Sequence, residues 1–357
     1  MTQLKNLLFA LIVLSACNKN EETDLITIPV DIYQDNPLPL SEISENIKAI
    51  ELETTDECLI GEGVRRVLIS DDHVIILDQP RMGNPNIFLF NGSGKFIRRI
   101  GQAGQGPGEY GNYISDIVAD FEDKEIYVQS YKKLIKYDFE GNFIKEINII
   151  LEYLNFTKNR LTAINPTVVS GDVANLKTNI ILYEINNNLQ IVDSMLIFSF
   201  NRNLIEHITF AYNHHMTYTN GNMYLHYWNP TTDVNYYNNQ DTLYQFKDKE
   251  LIPHIRLKHN VEKSNTGLRT VFIYRSSRYI FEMRVGKMDG YFCYDLKTKK
   301  GYNMKNGYYD DIHTGKKNFK IKPFATDTDE FYYLYTNMKD SDKDEPNPTL
   351  YIGTLKK

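Results

Sequence analysis

The sequence predicts an all-β fold, a six-bladed β-propeller with four-stranded antiparallel blades and a ring closed by strands from both ends of the chain. One strand–turn–strand unit at 87–100 returns at 134–147 and, in weaker form, at 180–196, 241–257 and 290–304. A repeat of roughly 40–50 residues with about four strands is typical of a propeller blade. Six such blades also account for the length of the chain. An all-β sandwich built from hairpins is the alternative, and the recurrence of one hairpin design favours the propeller.

The unit at 87–100 shows why each part folds as it does. Residues 87–90 (IFLF) are β-branched or aromatic, as strands prefer. Residues 91–94 (NGSG) supply Asn and Gly, which tolerate the positive φ angles of hairpin turns. Residues 95–100 (KFIRRI) mix polar with apolar side chains, which indicates an outer strand that faces solvent. The copy at 134–147 keeps both the turn glycine and the aromatic residue that follows it.

Residues 1–16 have the composition of a signal peptide. Lys5 lies ahead of an apolar run at 7–13, which is too short to span a bilayer as a permanent helix. Residues 14–17 (LSAC) resemble a bacterial lipobox, which implies cleavage before Cys17 and lipid attachment to it. Several acyl chains on one residue would anchor the protein stably in a membrane. An ordinary signal peptide with a chance cysteine is the alternative.

Residues 17–25 form a tether after the lipidated cysteine. Residues 18–22 (NKNEE) resemble the surface-export signal of Bacteroidetes lipoproteins, and the alternative is a solvated spacer. We therefore expect an outer-membrane lipoprotein, and both a cell-surface and a periplasmic orientation stay open.

Residues 26–357 contain no Pro-, Gly- or Ser-rich linker, so we expect a single propeller domain. Two β-prone pieces, 26–30 (ITIPV) and 47–52 (IKAIEL), precede the first blade. One of them should pair with the last strands, because closing the ring removes exposed sheet edges. Pro29 restricts the first piece to a sheet edge or a strand end.

The blades follow in order, and a glycine-rich segment connects the first two. We predict them at 64–101, 113–149, 155–199, 209–257, 271–304 and from 307 to the C-terminus. The connection at 101–111 holds five glycines and Pro107. It does not fit a phosphate-binding loop, because no Lys and no helix follow. We expect Gly108→Val to impair folding rather than binding, since this crossing needs positive φ there.

Four motifs together resemble a known family. They are the lipobox, IKAIELET at 47–54, the GQGPGEY crossing at 104–110, and the pair YRSSRYIFEM at 274–283 and NGYYDDIHTG at 306–315. The chain is similar to the six-bladed β-propeller lipoprotein family of Bacteroidetes. This resemblance implies a propeller fold but no established activity.

Composition excludes several classes of protein. The net charge is −6 with both signs well mixed, which gives no electrostatic case for nucleic acid binding. A single Trp excludes the regular Trp-bearing repeats of kelch and sialidase propellers, and the Trp-Asp signature of WD40 repeats is absent.

Cysteines, histidines and acidic runs predict no metal site and no cofactor. Cys58 and Cys293 are expected as two free thiols, although an oxidising envelope would permit a disulfide between them. Four histidines lack the spacing of a zinc site; they are His207, His214, His215 and His226. The acidic run at 340–345 lacks the Gly and Glu positions of a calcium loop.

Charged residues and one tyrosine near the expected channel are the candidate ligand-binding residues. If the first strand of each blade lies at the axis, these side chains could line or rim the channel. The candidates are Glu109, Tyr110, Arg275, Arg278, Asp310 and Asp311. The alternative is that the charges pair with each other and hold the blades together.

The sequence favours a non-catalytic envelope lipoprotein that binds a glycan, a peptide or another envelope protein. No Ser-His-Asp order and no carboxylate pair stands out by its spacing. One alternative is an enzyme of the lactonase, lyase or glycan hydrolase type with its site in the central channel. A cluster of Asn, Asp, Glu and His converging in the channel would favour that alternative. A structural subunit with a large exposed apolar patch is a third reading.

Overall fold

The computed structural model describes residues 25–157, 159–172, 175–202, 216–226, 241–261, 267–324, 327–336 and 346–357. Some features noted from the sequence lie outside these residues. They are the signal peptide, the lipobox with Cys17, the tether up to residue 24, His207, His214, His215 and the acidic run at 340–345. Within the described residues, no helix has the length and apolar character needed to span a membrane.

Six antiparallel blades follow one another along the chain, which confirms the predicted fold class. Ahead of them lie β1 (Ile26–Val30), α1 (Leu40–Ile43) and β2 (Ser44–Glu51). Blade 1 consists of β3 (Val64–Ile69), β4 (His73–Asp78), β5 (Asn86–Asn91) and β6 (Phe96–Arg99). Blade 2 consists of β7 (Asp116–Asp120), β8 (Glu125–Ser130), β9 (Lys133–Asp138) and β10 (Phe143–Asn148). Blade 3 consists of β11 (Tyr153–Thr157), β12 (Arg160–Asp172), β13 (Asn175–Ile185) and β14 (Ile191–Arg202).

The second half of the ring has the same plan with additions. Blade 4 consists of β15 (Met216–Thr219), β16 (Asn222–Leu225), β17 (Thr242–Lys247) and β18 (Glu250–His259). Blade 5 consists of β19 (Arg269–Arg275), β20 (Tyr279–Val285), β21 (Gly290–Asp295) and β22 (Lys300–Met304). A separate hairpin follows, with β23 (Tyr308–Tyr309) and β24 (Lys317–Phe319). Blade 6 combines β25 (Lys322–Pro323), β26 (Glu330–Tyr335) and β27 (Thr349–Leu355) with β2.

The first strand of each blade is the innermost one. Strand β3 contacts β7, β7 contacts β11, and β15 contacts β19, so these strands surround the axial channel. Third strands are buried and fourth strands are exposed, as β5 and β6 illustrate. This difference confirms that the polar half of the repeated hairpin is the solvent-facing strand.

The hydrophobic core is a ring of clusters between neighbouring blades. Ile75 of blade 1 packs in one cluster with Ile126 of blade 2, and Tyr279 of blade 5 packs in another with Phe331 of blade 6. In the described part of the chain, each of the six interfaces between neighbouring blades holds one such cluster. Burying one large apolar side chain contributes about 1.5–3 kcal/mol, so each blade is stabilised chiefly by its two neighbours.

The N-terminal segment closes the ring. Strand β2 pairs antiparallel with β27, with Ala49 opposite Tyr351, and becomes the outer strand of blade 6. This confirms the closing role predicted for one of the two N-terminal pieces. The other piece, β1, pairs parallel with β18 as an added outer strand of blade 4. Pro29 therefore lies on an edge strand, where its missing N–H is harmless.

Residues between β1 and β2 cross the outer edge of blade 5. The Asn36 N–H donates to the Asn303 carbonyl at 2.7 Å, and the Lys305 N–H donates to Asp35 Oδ1 at 3.1 Å. Residues 26–51, which we call the N-terminal strap, therefore contact blades 4, 5 and 6 in turn.

Two details refine the expectations from the sequence. Blade 6 begins at Lys322 rather than near Gly307, because 308–319 forms the separate β23–β24 hairpin. Cys58 and Cys293 are buried and unpaired, which confirms the prediction of two free thiols. They lie in different core clusters, at the interface of blades 6 and 1 and at that of blades 5 and 6.

Gly108→Val should destabilise the fold, and the structure supplies a matched control. Gly108 has φ +69°, and an added Cβ would lie 2.6 Å from Cγ of Phe143. Gly315 has φ +63°, but nothing lies within 4 Å of its added Cβ. Left-handed backbone costs a residue with a side chain about 1–2 kcal/mol. In urea denaturation, Gly315→Val should lose about that much, and Gly108→Val should lose clearly more. Equal losses would show that the contact with Phe143 is unimportant.

Candidate functional site

A cavity of about 450 Å³ opens at one end of the axial channel. It lies where the inner strands of blades 1, 2, 3 and 6 end and turn outward. We call it the channel cavity. Its polar lining residues are Arg66, Asp120, Glu122, Asn155, Thr157, Asn159, Asp327, Thr328 and Tyr332, and its apolar ones are Val67, Leu68, Ile69, Val118, Ala119, Phe121, Phe156, Pro323 and Phe324. The size and the mixed lining are typical of small-molecule sites.

Aromatic side chains form much of the wall. Phe156 stacks on Tyr127 with ring centroids 5.7 Å apart, and Phe324 meets Tyr332 edge to face at 5.9 Å. Phe121 is held edge to face by Phe139 at the same centroid distance of 5.9 Å. Phe121, Phe156 and Phe324 are only partly buried, so each is fixed by the core and still exposes ring surface to the cavity.

Asp120 is the most buried carboxylate of the lining, with 2% of its surface exposed. It ends β7, and its Oδ1 accepts hydrogen bonds from the Glu122 and Asp123 N–H groups, each at 3.0 Å. These bonds fix the β7–β8 turn. Its Oδ2 is buried and accepts no hydrogen bond from the described residues. Burial raises the pKa of Asp120, and the charges of Asp123 and Glu125 add to this effect.

Carboxylate oxygens of Asp120, Asp123 and Glu125 lie within 4.8 Å of one another and could contact one cation. Lys136 already pairs with Glu125 Oε2 at 2.7 Å, and the Tyr127 hydroxyl donates to the same oxygen at 3.0 Å. Calcium takes 6–8 oxygen ligands. Three carboxylates, one of them already paired, are therefore a poor match for a calcium centre.

A buried ion pair lies at the inner end of the cavity. Arg66 Nε is 3.7 Å from Asp116 Oδ1, and both side chains are almost fully buried. Asp116 also accepts hydrogen bonds from the Leu154 N–H and the Ile117 N–H at 2.9 Å, which ties blade 2 to blade 3. Burial raises the pKa of Asp116 to about 6, against the lowering effect of Arg66.

None of the six residues proposed from the sequence lines the channel cavity. Glu109 and Tyr110 belong to the connection that enters β7, at the opposite end of the inner strand from Asp120. Hydrogen bonds from the Gly106 N–H and the Gln102 amide lower the pKa of Glu109. Tyr110 is buried between blades 1 and 2. Glu109 does line a second depression of about 420 Å³, together with Arg98 and Arg99.

Asp310 and Asp311 organise the β23–β24 hairpin. Asp310 is fully buried and accepts hydrogen bonds from the backbone that follows it, from Thr314 and from the Tyr333 hydroxyl at 2.9 Å. Asp311 accepts the Ser41 N–H at 3.0 Å and so holds the start of α1. Hydrogen bonds within the protein therefore account for both carboxylates.

Arg275 and Arg278 lie where β19 turns into β20, at the end of blade 5 opposite the β23–β24 hairpin. Arg278 forms a bidentate ion pair with Asp295, at 3.0 and 2.6 Å. The Arg275 guanidinium lies 4.9 Å from the Tyr224 ring centroid and donates a hydrogen bond to His254 Nε2, between blades 4 and 5. The six residues are thus spread over both ends of the ring, and their role in binding stays a prediction.

The channel cavity could not be recognised from the sequence, because its lining comes from four distant segments. One local signal was available at the β7–β8 turn. Asp120 and Glu125 face each other across that turn, so a carboxylate at each position brings two charges together.

Comparison with known proteins identifies relatives by family and by fold. A family model described as a domain of unknown function, DUF4934, matches residues 25–354. A crystal structure of a Bacteroides fragilis protein described as exported has a TM-score of 0.62 and 17% identity, covering 93% of this chain and 100% of that one. A member of the DUF4221 family from Bacteroides vulgatus has a TM-score of 0.50 and 10% identity, covering 90% and 99%. At these identities both structures indicate fold alone. No curated protein matches the sequence.

Acid should destabilise the protein through His254. Burial, together with the positive charge of Arg275, lowers the pKa of His254 from 6.5 to about 4. The unfolded chain therefore binds a proton between these pH values that His254 in the folded chain does not, so the contribution of His254 to stability falls as pH drops from 6.5 towards 4. The raised pKa of Asp116 acts in the opposite direction below about pH 6. His254→Gln keeps an acceptor for Arg275 and should remove the His254 contribution, so the unfolding free energy should fall less between pH 6.5 and 4 than it does in the wild type.

The wild-type pH profile is the reference for that experiment. A His254→Gln profile that matches the wild type would contradict the assignment.

Proposed function

The chain belongs to the DUF4934 family, and we propose that it is an exported, envelope-anchored protein whose propeller binds a ligand in the channel cavity without chemical turnover. The observation that carries this proposal is the cavity itself, with fixed aromatic walls and polar groups from four blades. The ligands to consider are a glycan, a peptide or an exposed segment of another envelope protein. Mixed charges and a net charge of −6 argue against nucleic acid.

Export and anchoring are supported by the sequence of the first residues and by a structural relative described as exported. We propose that lipid on Cys17 holds the protein to the outer membrane. Ile26 begins β1 at the outer edge of blade 4. The tether would therefore join the ring at its side. Both ends of the channel would then stay accessible.

An enzyme of the lactonase, lyase or glycan hydrolase type is the second candidate. One observation favours it, because Asp120 has a raised pKa and lines the cavity beside Asn155 and Asn159. Perturbed carboxyl groups in clefts are common in active sites. Turnover of a lactone or uronate sugar that disappears in Asp120→Asn, with binding retained, would favour the enzyme over the binding protein.

A plug at the cavity mouth should abolish binding without unfolding the protein. Thr328 is exposed and lines the cavity, so Thr328→Trp would fill the opening. A panel of oligosaccharides, peptides and small amines would be screened for a rise in melting temperature, since ligand at a hundred times its Kd stabilises by about 2.7 kcal/mol. We expect at least one compound to bind, and Thr328→Trp to weaken it at least tenfold in calorimetry.

Thr298→Trp is the matched control for that plug. Thr298 is likewise exposed and borders a carboxylate, Asp295, but it lies in a turn of blade 5 away from the cavity. It should keep full affinity. Equal weakening by both substitutions, or no stabilising compound in the panel, would contradict the proposed function.

A further inference from the structure

The carboxylates of the channel cavity exceed its cationic groups. Asp120, Glu122 and Asp327 contribute three acidic side chains, and Arg66 is the cationic member of the lining. Arg66 faces Asp116 at the inner end, so its charge is largely compensated there. A negative excess therefore remains at the mouth.

One carboxylate oxygen of the cavity lining has no hydrogen-bond donor among the described residues. Asp120 Oδ2 is buried and accepts no hydrogen bond from the described part of the chain, although its partner oxygen accepts two. Buried polar atoms normally find a hydrogen-bond partner, so this oxygen, on a residue that lines the cavity, can still accept a hydrogen bond from a ligand or a water molecule. Asp327 Oδ2 accepts only the Gly221 N–H among the described residues, at 3.2 Å, and can accept more.

The aromatic walls of the cavity favour hydrogen-bond donors that carry a positive charge. Phe121, Phe156 and Phe324 expose ring surface to the cavity, and Tyr332 completes the wall. Ring faces attract cations and repel anions. A donor group that is also positively charged satisfies both the carboxylates and the rings.

We propose that the channel cavity binds a primary ammonium or guanidinium group carried on a small apolar or peptide body. This rests on the proposed binding function and names its ligand class. The ammonium group donates to Asp120 Oδ2 at the mouth, and the carbon chain lies against the aromatic wall. Lysine-bearing peptides and free diamines share this chemistry.

Other ligand classes fit less well. A hard divalent cation would need more oxygens than the lining brings together and gains little from aromatic rings. An anion would meet three carboxylates. Lys322 comes directly before Pro323 of the cavity lining, and its Nζ lies 6.0 Å from the Tyr332 ring centroid. Its positive charge repels a cation from the deeper channel. The positive end of the ligand is therefore held at the mouth.

Calorimetry with matched probes tests the proposal. The probes are the acetylated and amidated tripeptide Ala-Lys-Ala, its analogues with norleucine or glutamate in the centre, and 1,5-diaminopentane. At low salt and neutral pH, the lysine peptide or the diamine should bind at least tenfold more tightly than both analogues. Whichever of the two binds more tightly shows whether a peptide or a free amine fits the cavity better. Raising the salt concentration should weaken this binding.

Asp120→Asn is the decisive variant. Asparagine keeps an oxygen for the Glu122 and Asp123 N–H groups, so the turn should remain, but it places an NH₂ group where the ligand would donate. We expect at least a fivefold loss of affinity for the lysine peptide. Glu45→Gln removes one exposed carboxylate from the outer strand of blade 6 and should leave that affinity unchanged.

The possible results distinguish a failure of the cation preference from a failure of the proposed binding function. Tight binding of the norleucine or glutamate peptide, or of an oligosaccharide, that Thr328→Trp abolishes would overturn the cation preference and leave the binding function intact. No binding of the lysine peptide and the diamine also overturns the preference. An unchanged affinity in Asp120→Asn overturns the assigned position of the ammonium group.

Discussion

Pairing of β2 with β27 is the interaction on which the rest of the structure depends. A propeller has no central core, and each blade is stabilised by clusters shared with two neighbours. An open ring would leave the blade 6–blade 1 interface without the support of its outer strand. The N-terminal strap adds to this closure because it also pairs with blade 4 and crosses blade 5. The N-terminal strap thus contacts three of the six blades.

Closure also builds the channel cavity. Only a closed ring brings the ends of the inner strands of blades 1, 2, 3 and 6 around one opening. The same Asp120 that fixes a turn through Oδ1 also lines that opening, and its Oδ2 has no hydrogen-bond partner among the described residues. The Arg66–Asp116 pair closes the inner end and ties the first three blades together. Several of the cavity walls are therefore parts of the inter-blade cores.

The fold could be predicted from the sequence because its signals are local. Alternating apolar strands, turn glycines such as Gly94 and the polar outer strand all lie within one hairpin. The site could not be predicted in this way, because Asp120 and Asp327 are brought together only by the ring. Charge alone was a poor guide, since Asp310 serves its own hairpin and Arg278 pairs within its own blade. Blade 6 began later than expected because the turn at Asp310 forms a separate hairpin.

A crystal structure of the protein grown with the acetylated, amidated Ala-Lys-Ala peptide would locate the bound ammonium group. We expect density for the peptide in the channel cavity, with the lysine nitrogen within hydrogen-bond distance of Asp120 Oδ2 and its carbon chain against the aromatic wall. A peptide bound elsewhere, or a cavity that holds only water at saturating peptide, would show that the channel cavity is not an ammonium site.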